Sequence, residues 1–173
     1  MRYFVITFCC ILFIYACKPS RNAVSTNNYT TGSNSSGKPY KVSTAGKKAT
    51  DAIQSAKKYL GTPYKYSGMD RKGMDCSGLI CKAFNDIGVV LPHQSGEQSK
   101  LGESVTLNDL KPGDLVFMGA TKGSSKVNHV GMVVSVSNNK IIFIHASTKK
   151  GVIEENLLEK WYQPLFIKGT RLF

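Results

Sequence analysis

The stretch Gly73-Met74-Asp75-Cys76-Ser77-Gly78-Leu79 decides how this chain folds, because it places a cysteine at the start of a predicted helix. The apolar residues that follow recur at helical spacing: Leu79, Ile80, Ala83, Phe84 and Ile87. Backbone N–H groups at a helix N-terminus favour the thiolate, which is the nucleophilic form of cysteine. Cys76 is therefore a candidate nucleophile, although most free cysteines are small buried core residues.

The N-terminal segment has the pattern of a secretory signal. Arg2 is followed by an apolar run that contains no acidic residue and is shorter than the roughly 20 residues of a membrane span. The run ends at Ala16-Cys17, which resembles a bacterial lipoprotein signal whose cysteine becomes the lipid-bearing first residue. A plain signal peptide or an uncleaved anchor helix is the alternative. We predict a signal peptide at residues 1–16 and a lipid on Cys17 that anchors the protein to a membrane.

The composition divides the rest of the chain into a tether and one domain. Residues 17–45, beginning with the lipidated cysteine, are polar and Ser/Asn/Thr-rich, so we expect a flexible tether. Residues 1–50 contain seven Lys or Arg and no Asp or Glu, whereas residues 51–173 contain sixteen against eleven. This basic excess suits an anionic membrane or wall polymer, and no aromatic-basic pattern indicates nucleic-acid binding. Residues 46–173 suffice for one domain.

The cysteines do not form a disulfide scaffold. Cleavage before Cys17 removes Cys9 and Cys10, leaving Cys76 and Cys81 in the folded part. Two cysteines five residues apart on one helix point to different faces, so they do not pair. We expect Cys81 in the core and Cys76 as a free thiol that needs another explanation.

The hydrophobic periodicity changes from helical to alternating along the domain. It predicts helices over residues 50–60 and 76–87 and short helices over 95–101 and 157–161. It predicts strands over residues 115–118, 130–136, 140–145, 152–154 and 166–171. Helices followed by strands define an α+β fold, with N-terminal helices packed on a small antiparallel sheet and the cysteine at a helix N-terminus.

Two histidines lie at the ends of neighbouring predicted strands. His129 opens the strand that leads into a β-hairpin, and His145 closes the strand that leaves it. The start of one antiparallel strand lies beside the end of the next, so the two side chains are expected at one sheet edge. They can then act as the base and the base-orienting group that a thiol nucleophile needs. The alternative is one structural and one surface histidine.

A metal site is the other interpretation of one cysteine and two histidines. Structural zinc sites have closely spaced ligand pairs, which Cys76, His129 and His145 lack. We therefore expect no metal and no cofactor. The third histidine, His93, falls in a predicted loop and is expected to be solvated, with a place in a groove wall as its functional alternative.

Six segments in order identify a resemblance that covers essentially the whole folded part. They are GTPYKYSG (61–68), GMDCSGLI (73–80), LPHQSGEQ (91–98), LKPGDLVFM (110–118), NHVGMVV (128–134) and FIHAS (143–147). The chain resembles the NlpC-type cell-wall cysteine peptidases, which are papain-like hydrolases of peptidoglycan stem peptides. The resemblance implies a papain-like fold, an enzyme of the cell envelope and stem peptides as the substrate. We expect it to act as a lipid-anchored monomer.

The resemblance also implies a role for each matching residue. Cys76 is the nucleophile, His129 the base and His145 the residue that orients the base. Tyr64 faces the site and steadies the oxyanion, and Asp75 and Ser77 help to hold the stem peptide. The alternatives are that Tyr64 is a half-buried loop aromatic and that Asp75 only caps the helix.

The sequence departs from the family pattern at three places. Ser67 stands where glycine is usual, His93 replaces a frequent arginine, and the gap between the two site histidines is longer than usual. These departures concern substrate preference and loop length rather than the catalytic groups.

The expected chemistry is amide hydrolysis through an acyl-enzyme on Cys76. The resemblance points to a D-glutamyl–diamino-acid bond or a D-alanyl–diamino-acid cross-link. Two other functions stay open: a non-catalytic wall-binding lipoprotein and a thiol acyltransferase on the same fold.

Overall fold

The computed structural model describes residues 44–173. The predicted signal peptide, Cys17 and most of the predicted tether lie outside this range. Within residues 44–173, no helix has both the length and the apolar character that a membrane crossing requires.

Helices lead and strands follow, as an α+β fold requires. The helices are α1 (Thr44–Lys57), α2 (Cys76–Asn85) and α3 (Ser95–Gln98). The strands are β1 (Met69–Asp70), β2 (Gly73–Met74), β3 (Glu103–Val105), β4 (Leu115–Gly119), β5 (Val127–Ser137), β6 (Lys140–Ser147), β7 (Gly151–Asn156) and β8 (Phe166–Arg171). Strands β3 to β8 form an antiparallel sheet in the order β3-β8-β4-β5-β6-β7, and β1 pairs with β2 in a separate hairpin.

The predicted helices over residues 76–87 and 95–101 end earlier, at Asn85 and Gln98, and the other two predicted helices differ more. Helix α1 begins at Thr44, so the last two residues of the predicted tether are helical. Its first two turns are mostly exposed and polar, and hydrophobic periodicity therefore misses them. The predicted helix over residues 157–161 is wrong, because the Leu157 amide donates to Ile141 in β6 and the Leu158 amide donates to the Asn156 side chain. These bonds hold the segment in turns.

The sheet is buried on both faces. Leu115 and Phe117 of β4 belong to the core that α1 and α2 cover, whereas Val116 and Met118 belong to a second core on the other face. The helix-side core includes Leu79 from α2, and the second core includes Leu157 from the segment after β7. All six of these side chains are at most 1 % exposed, so the sheet is a fixed support for side chains at its rim.

The β5–β6 hairpin pairs the two predicted histidine strands in a defined register. Met132 lies opposite Ile144, and a β-bulge separates Val133 from Ser135. Val130 and Met132 face the helices, so the alternating residue His129 faces the second core. By the same alternation His145 lies on the face of β6 that carries Phe143. The sequence left open which faces the histidines share, and the structure places them on the same one.

Candidate active site

Cys76 is the first residue of α2, and Asp75 caps that helix. The Asp75 side chain accepts hydrogen bonds from the Gly78 amide at 2.7 Å and the Ser77 hydroxyl at 2.9 Å. Its other oxygen accepts from the Ser67 amide at 2.8 Å. The capping role that the sequence offered as an alternative for Asp75 is thus present in the structure. These bonds fix the backbone on both sides of Cys76.

The Cys76 thiol is free and largely buried, with 8 % of the residue exposed. Burial raises its pKa, and the Asp75 carboxylate adds to this effect. Backbone hydrogen bonds at Val130, at Ser77 and at Cys76 itself lower the pKa, but burial outweighs them. The helix N-terminus alone therefore does not bring the pKa of Cys76 below its ordinary value.

His129 and His145 are in direct contact, as their positions in the sequence predicted. His129 Nε2 and His145 Nδ1 lie 2.8 Å apart, and the two rings are perpendicular. Burial and the neighbouring His145 lower the pKa of His129 to about 3, so its imidazole is neutral at pH 7. Because Nε2 faces His145, Nδ1 is the nitrogen left to accept a proton.

The contact network continues beyond the histidines to residues that the sequence did not indicate. His145 Nε2 lies 3.0 Å from the Glu155 carboxylate on β7, and the Tyr162 hydroxyl donates to the same carboxylate oxygen. The Lys150 ammonium donates to the other oxygen at 2.9 Å. The predicted strand ended at residue 154, one position before Glu155, and Tyr162 followed a segment predicted as helix. The sequence signal that could have indicated Glu155 is an acidic residue at the end of the predicted strand that follows the strand of His145.

A glycine makes room for these rings. A Cβ at Gly131 would lie 2.6 Å from Phe143 Cδ2 and 3.2 Å from His145 Cβ. The Phe143 and His145 rings stack with centroids 4.5 Å apart. Since β5 carries no side chain at this position, the His145 ring can pack close to the strand that bears His129.

An open cleft of about 950 Å³ gives access to the site. The predicted residues that line it are Tyr64, Asp75, Cys76, Ser77 and His129. His145 does not line the cleft, since it is 2 % exposed and lies behind His129. Cys76 and His129 can therefore meet a substrate, whereas His145 acts on it only through His129.

His93 is an exposed loop residue that also lines this cleft. Its Nε2 lies 3.1 Å from Asp75 Oδ1, and 28 % of its side chain is exposed. The residue is exposed and lies in a loop, as the sequence predicted, and the loop also turns its ring toward the helix cap. The groove-wall alternative fits the structure.

Tyr64 lies beside the nucleophile. It forms a β-bridge with Met74, two residues before Cys76. Burial raises the pKa of its hydroxyl, and electrostatic interactions with Cys76 and Asp75 raise it further as the phenol titrates. The hydroxyl is therefore a hydrogen-bond donor at neutral pH.

The Ser67 departure has a conformational consequence. Ser67 adopts a φ of 54°, the left-handed region that glycine enters without steric cost. This observation explains why glycine suits the position.

The contacts of the two site histidines bear on the alternative of a metal site. The facing nitrogens of His129 and His145 bond each other, and residues 44–173 contain no group of three or more His, Cys, Asp or Glu side chains that could hold a metal ion.

A free cysteine at a helix N-terminus beside a pair of sheet histidines, in an α+β fold, defines the class of papain-like cysteine hydrolases. The comparisons with known proteins agree. The NlpC/P60 family matches residues 61–171, and the chain belongs to that family. It is a cysteine peptidase.

Individual relatives give the same result. The chain is 38 % identical over 123 residues to the "Probable endopeptidase NlpC" of Escherichia coli K12, covering 70 % of this chain and 75 % of that protein. It is 35 % identical over 115 residues to the "Murein DD-endopeptidase MepS/Murein LD-carboxypeptidase" of the same strain, covering 66 % of this chain and 57 % of that protein. The crystal structure of an NlpC/P60 family protein from Bacillus cereus superposes with a TM-score of 0.65 at 30 % identity, covering 72 % of this chain and 40 % of that one.

Proposed function

We propose that this peptidase hydrolyses an amide bond in peptidoglycan stem peptides through an acyl-enzyme on Cys76. The observation that carries the proposal is the presence of the free Cys76 and of His129 at one cleft, with His145 in contact with His129 behind it. Family membership and the murein-cleaving relative support peptidoglycan as the polymer attacked. The position of the protein in the cell envelope follows from that substrate.

The mechanism starts from a neutral pair. His129 Nδ1 takes the proton of the Cys76 thiol as the sulfur attacks the scissile carbonyl carbon. The resulting imidazolium protonates the leaving amine, and the acyl group stays on the sulfur. His129 then removes a proton from water, which attacks the thioester and releases the acid and the thiol. His145 holds the His129 ring through its Nδ1 during both steps.

Donors near the sulfur stabilise the oxyanion that forms in each step. The candidates are backbone N–H groups at the start of α2 and the hydroxyl of Tyr64, which stays protonated because of its raised pKa. Asp75 and Ser77 lie on the cleft wall one residue to either side of Cys76. We assign them to holding the stem peptide, where the Asp75 carboxylate suits an amino group of the substrate.

The bond cleaved is either D-glutamyl–diamino-acid or the D-alanyl–diamino-acid cross-link. Both present an amide carbonyl and a nearby free amine or carboxylate to the open cleft. The names of two relatives point to different bonds: the murein DD-endopeptidase of Escherichia coli K12 to the D-alanyl cross-link, and a gamma-D-glutamyl-L-lysine dipeptidyl-peptidase of Bacillus subtilis to the D-glutamyl bond.

The test is digestion of purified peptidoglycan, followed by mass spectrometry of the released fragments. We expect new fragments with one of these two bonds broken and at least a ~1,000-fold loss of rate in Cys76→Ala. Cys81→Ala is the matched control, because Cys81 is also a free buried thiol but contacts the carbonyls of Leu91 and Pro92 instead of the histidines. A Cys76→Ala protein that still digests peptidoglycan refutes the proposal.

Thiol labelling tests the same assignment without a substrate. We expect iodoacetamide to label Cys76 faster than Cys81, because only Cys76 lines the cleft. His129→Ala should slow the labelling of Cys76 and leave that of Cys81 unchanged if the imidazole is the base.

A further inference from the structure

Glu155 belongs to a chain of side-chain contacts that begins at His129, which lines the same cleft as Cys76. His129, His145 and Glu155 lie on adjacent strands β5, β6 and β7. Their side chains meet end to end, with 2.8 Å between the imidazoles and 3.0 Å between His145 and the carboxylate. His145 contacts His129 through Nδ1 and Glu155 through Nε2. The nitrogen of His145 that carries the hydrogen therefore determines whether His129 Nε2 must donate or accept.

The negative charge of Glu155 determines which nitrogen of His145 carries the hydrogen. Burial raises the pKa of Glu155, but hydrogen bonds from Tyr162, Lys150 and His145 outweigh burial and hold it below its ordinary value. An ionised carboxylate accepts hydrogen bonds and donates none. The Tyr162 hydroxyl and the Lys150 ammonium therefore donate to it, and His145 Nε2 must carry a hydrogen that points at Glu155.

The proton positions on both rings follow from that hydrogen. Burial lowers the pKa of His145, so its ring is neutral and Nδ1 carries a lone pair. Nδ1 then accepts a hydrogen bond from His129 Nε2–H. The neutral His129 ring has its remaining lone pair on Nδ1, the nitrogen that must take the Cys76 proton.

We propose that Glu155, held by Tyr162 and Lys150, is a positioning residue that fixes the tautomers of His145 and His129. Without the carboxylate, His145 can carry its hydrogen on Nδ1 instead. His129 would then turn its lone pair toward His145 and present an N–H to the thiol, which cannot act as a base. The inference rests on the proposed function of Cys76 and His129, and it adds a residue that the substrate never touches.

The position of Glu155 separates this role from substrate binding. Glu155 does not line the cleft, and two other groups already satisfy its carboxylate. A loss of the carboxylate charge should therefore reduce kcat and leave KM unchanged. A defect confined to stability would reduce the amount of folded enzyme, and the activity per folded molecule would stay the same.

The kinetic test compares Glu155→Gln with Glu154→Gln on a soluble stem-peptide substrate. Glu154 is the adjacent residue of β7 and pairs with Lys57 of α1 at 3.0 Å, away from the histidines. We expect kcat to fall at least about tenfold in Glu155→Gln with KM unchanged, and to stay at the wild-type value in Glu154→Gln. An unchanged kcat in a folded Glu155→Gln protein overturns the proposal.

The spectroscopic test needs no activity. The chain has three histidines, so ¹⁵N-histidine labelling gives a simple spectrum. Each imidazole signal can be assigned from the variant in which that one histidine is replaced. In the wild type we expect Nε2–H and bare Nδ1 on both His129 and His145, and mixed tautomers in Glu155→Gln. A wild-type His145 that carries its hydrogen on Nδ1 overturns the proposal even if the variant does not fold. The expected tautomers in a protein that fails to digest peptidoglycan would instead refute only the proposed function.

Discussion

At the scale of single residues, burial controls the charge of both reacting groups. It raises the pKa of the Cys76 thiol and lowers that of the His129 imidazole, so both shifts favour uncharged forms. A resting thiolate–imidazolium pair would require both groups to ionise where burial opposes each charge. In the proposed mechanism, the thiol therefore transfers its proton to His129 as the sulfur attacks the acyl carbonyl.

The lowered pKa of His129 predicts acid sensitivity of the fold. Its pKa is about 3 in the folded protein and 6.5 in an unfolded chain, so the unfolded state binds the extra proton as the pH falls below about 6.5. Stability that is present at pH 7 is therefore lost toward pH 5. We expect His129 to account for about 2 kcal/mol of that loss, measured by urea unfolding at the two pH values.

His129→Gln is the matched variant for this measurement. Glutamine does not titrate, so the loss between pH 7 and pH 5 should shrink by about 2 kcal/mol, while His145, whose pKa is also lowered, still contributes. The window stops at pH 5 because Glu155 and Asp86 titrate at lower pH, and their pKa values are lowered further. Equal losses in the two proteins would show that His129 is not buried as a neutral ring.

At the scale of elements, the start of α2 is clamped to the loop before it by close backbone contact. The Asp75 amide donates to the Gly68 carbonyl at 3.1 Å. One turn further on, a Cβ at Gly78 would lie 2.1 Å from the same oxygen. The small residues after the cysteine thus let the loop and the helix approach, which sets the position of Cys76 against β5.

Gly78→Ala tests this close contact between the loop and α2. Alanine normally stabilises a helix interior by about 1 kcal/mol relative to glycine, but here the added methyl group meets a backbone atom that cannot move aside. We expect a net loss of about 2 kcal/mol in the free energy of unfolding, together with slower peptidoglycan digestion.

Gly96→Ala in α3 is the control, since nothing lies within 4 Å of its Cβ position. It should leave the unfolding free energy the same or raise it. A stabilising Gly78→Ala would mean that the loop is not held against the helix.

At the scale of the whole molecule, the sequence predicted best what depends on local periodicity. Strand β8 matches the predicted residues 166–171, and α2 starts at Cys76 as its apolar spacing predicted. Strands β1 to β3 have only two or three residues, too few to show a period, and were not predicted. Glu155 was missed because its role depends on the pairing of β6 with β7, which no local pattern contains.

Local sequence patterns also predicted only some features of the candidate site. Hairpin geometry predicted that His129 and His145 would be neighbours, because the start and end of adjacent strands must meet. It did not predict the pKa shifts, since burial arises from the helices and loops that cover the sheet. Nor did it predict that His93 would reach Asp75, because that contact depends on the path of a loop.

The predicted lipid anchor, Cys17, lies outside residues 44–173. The proposed reacting residues lie between Cys76 and His145, and residues 44–173 contain no helix suited to span a membrane. If the Cys17 lipid is the anchor, Cys17→Ser in the full chain should move the protein from the membrane fraction to the soluble fraction. It should digest a soluble stem peptide with unchanged kcat/KM, because the proposed site does not involve residue 17. Cys10→Ser, within the predicted signal, is the matched control and should stay with the membrane. A Cys17→Ser protein that still sediments with membranes would refute the lipid anchor and favour an uncleaved N-terminal helix.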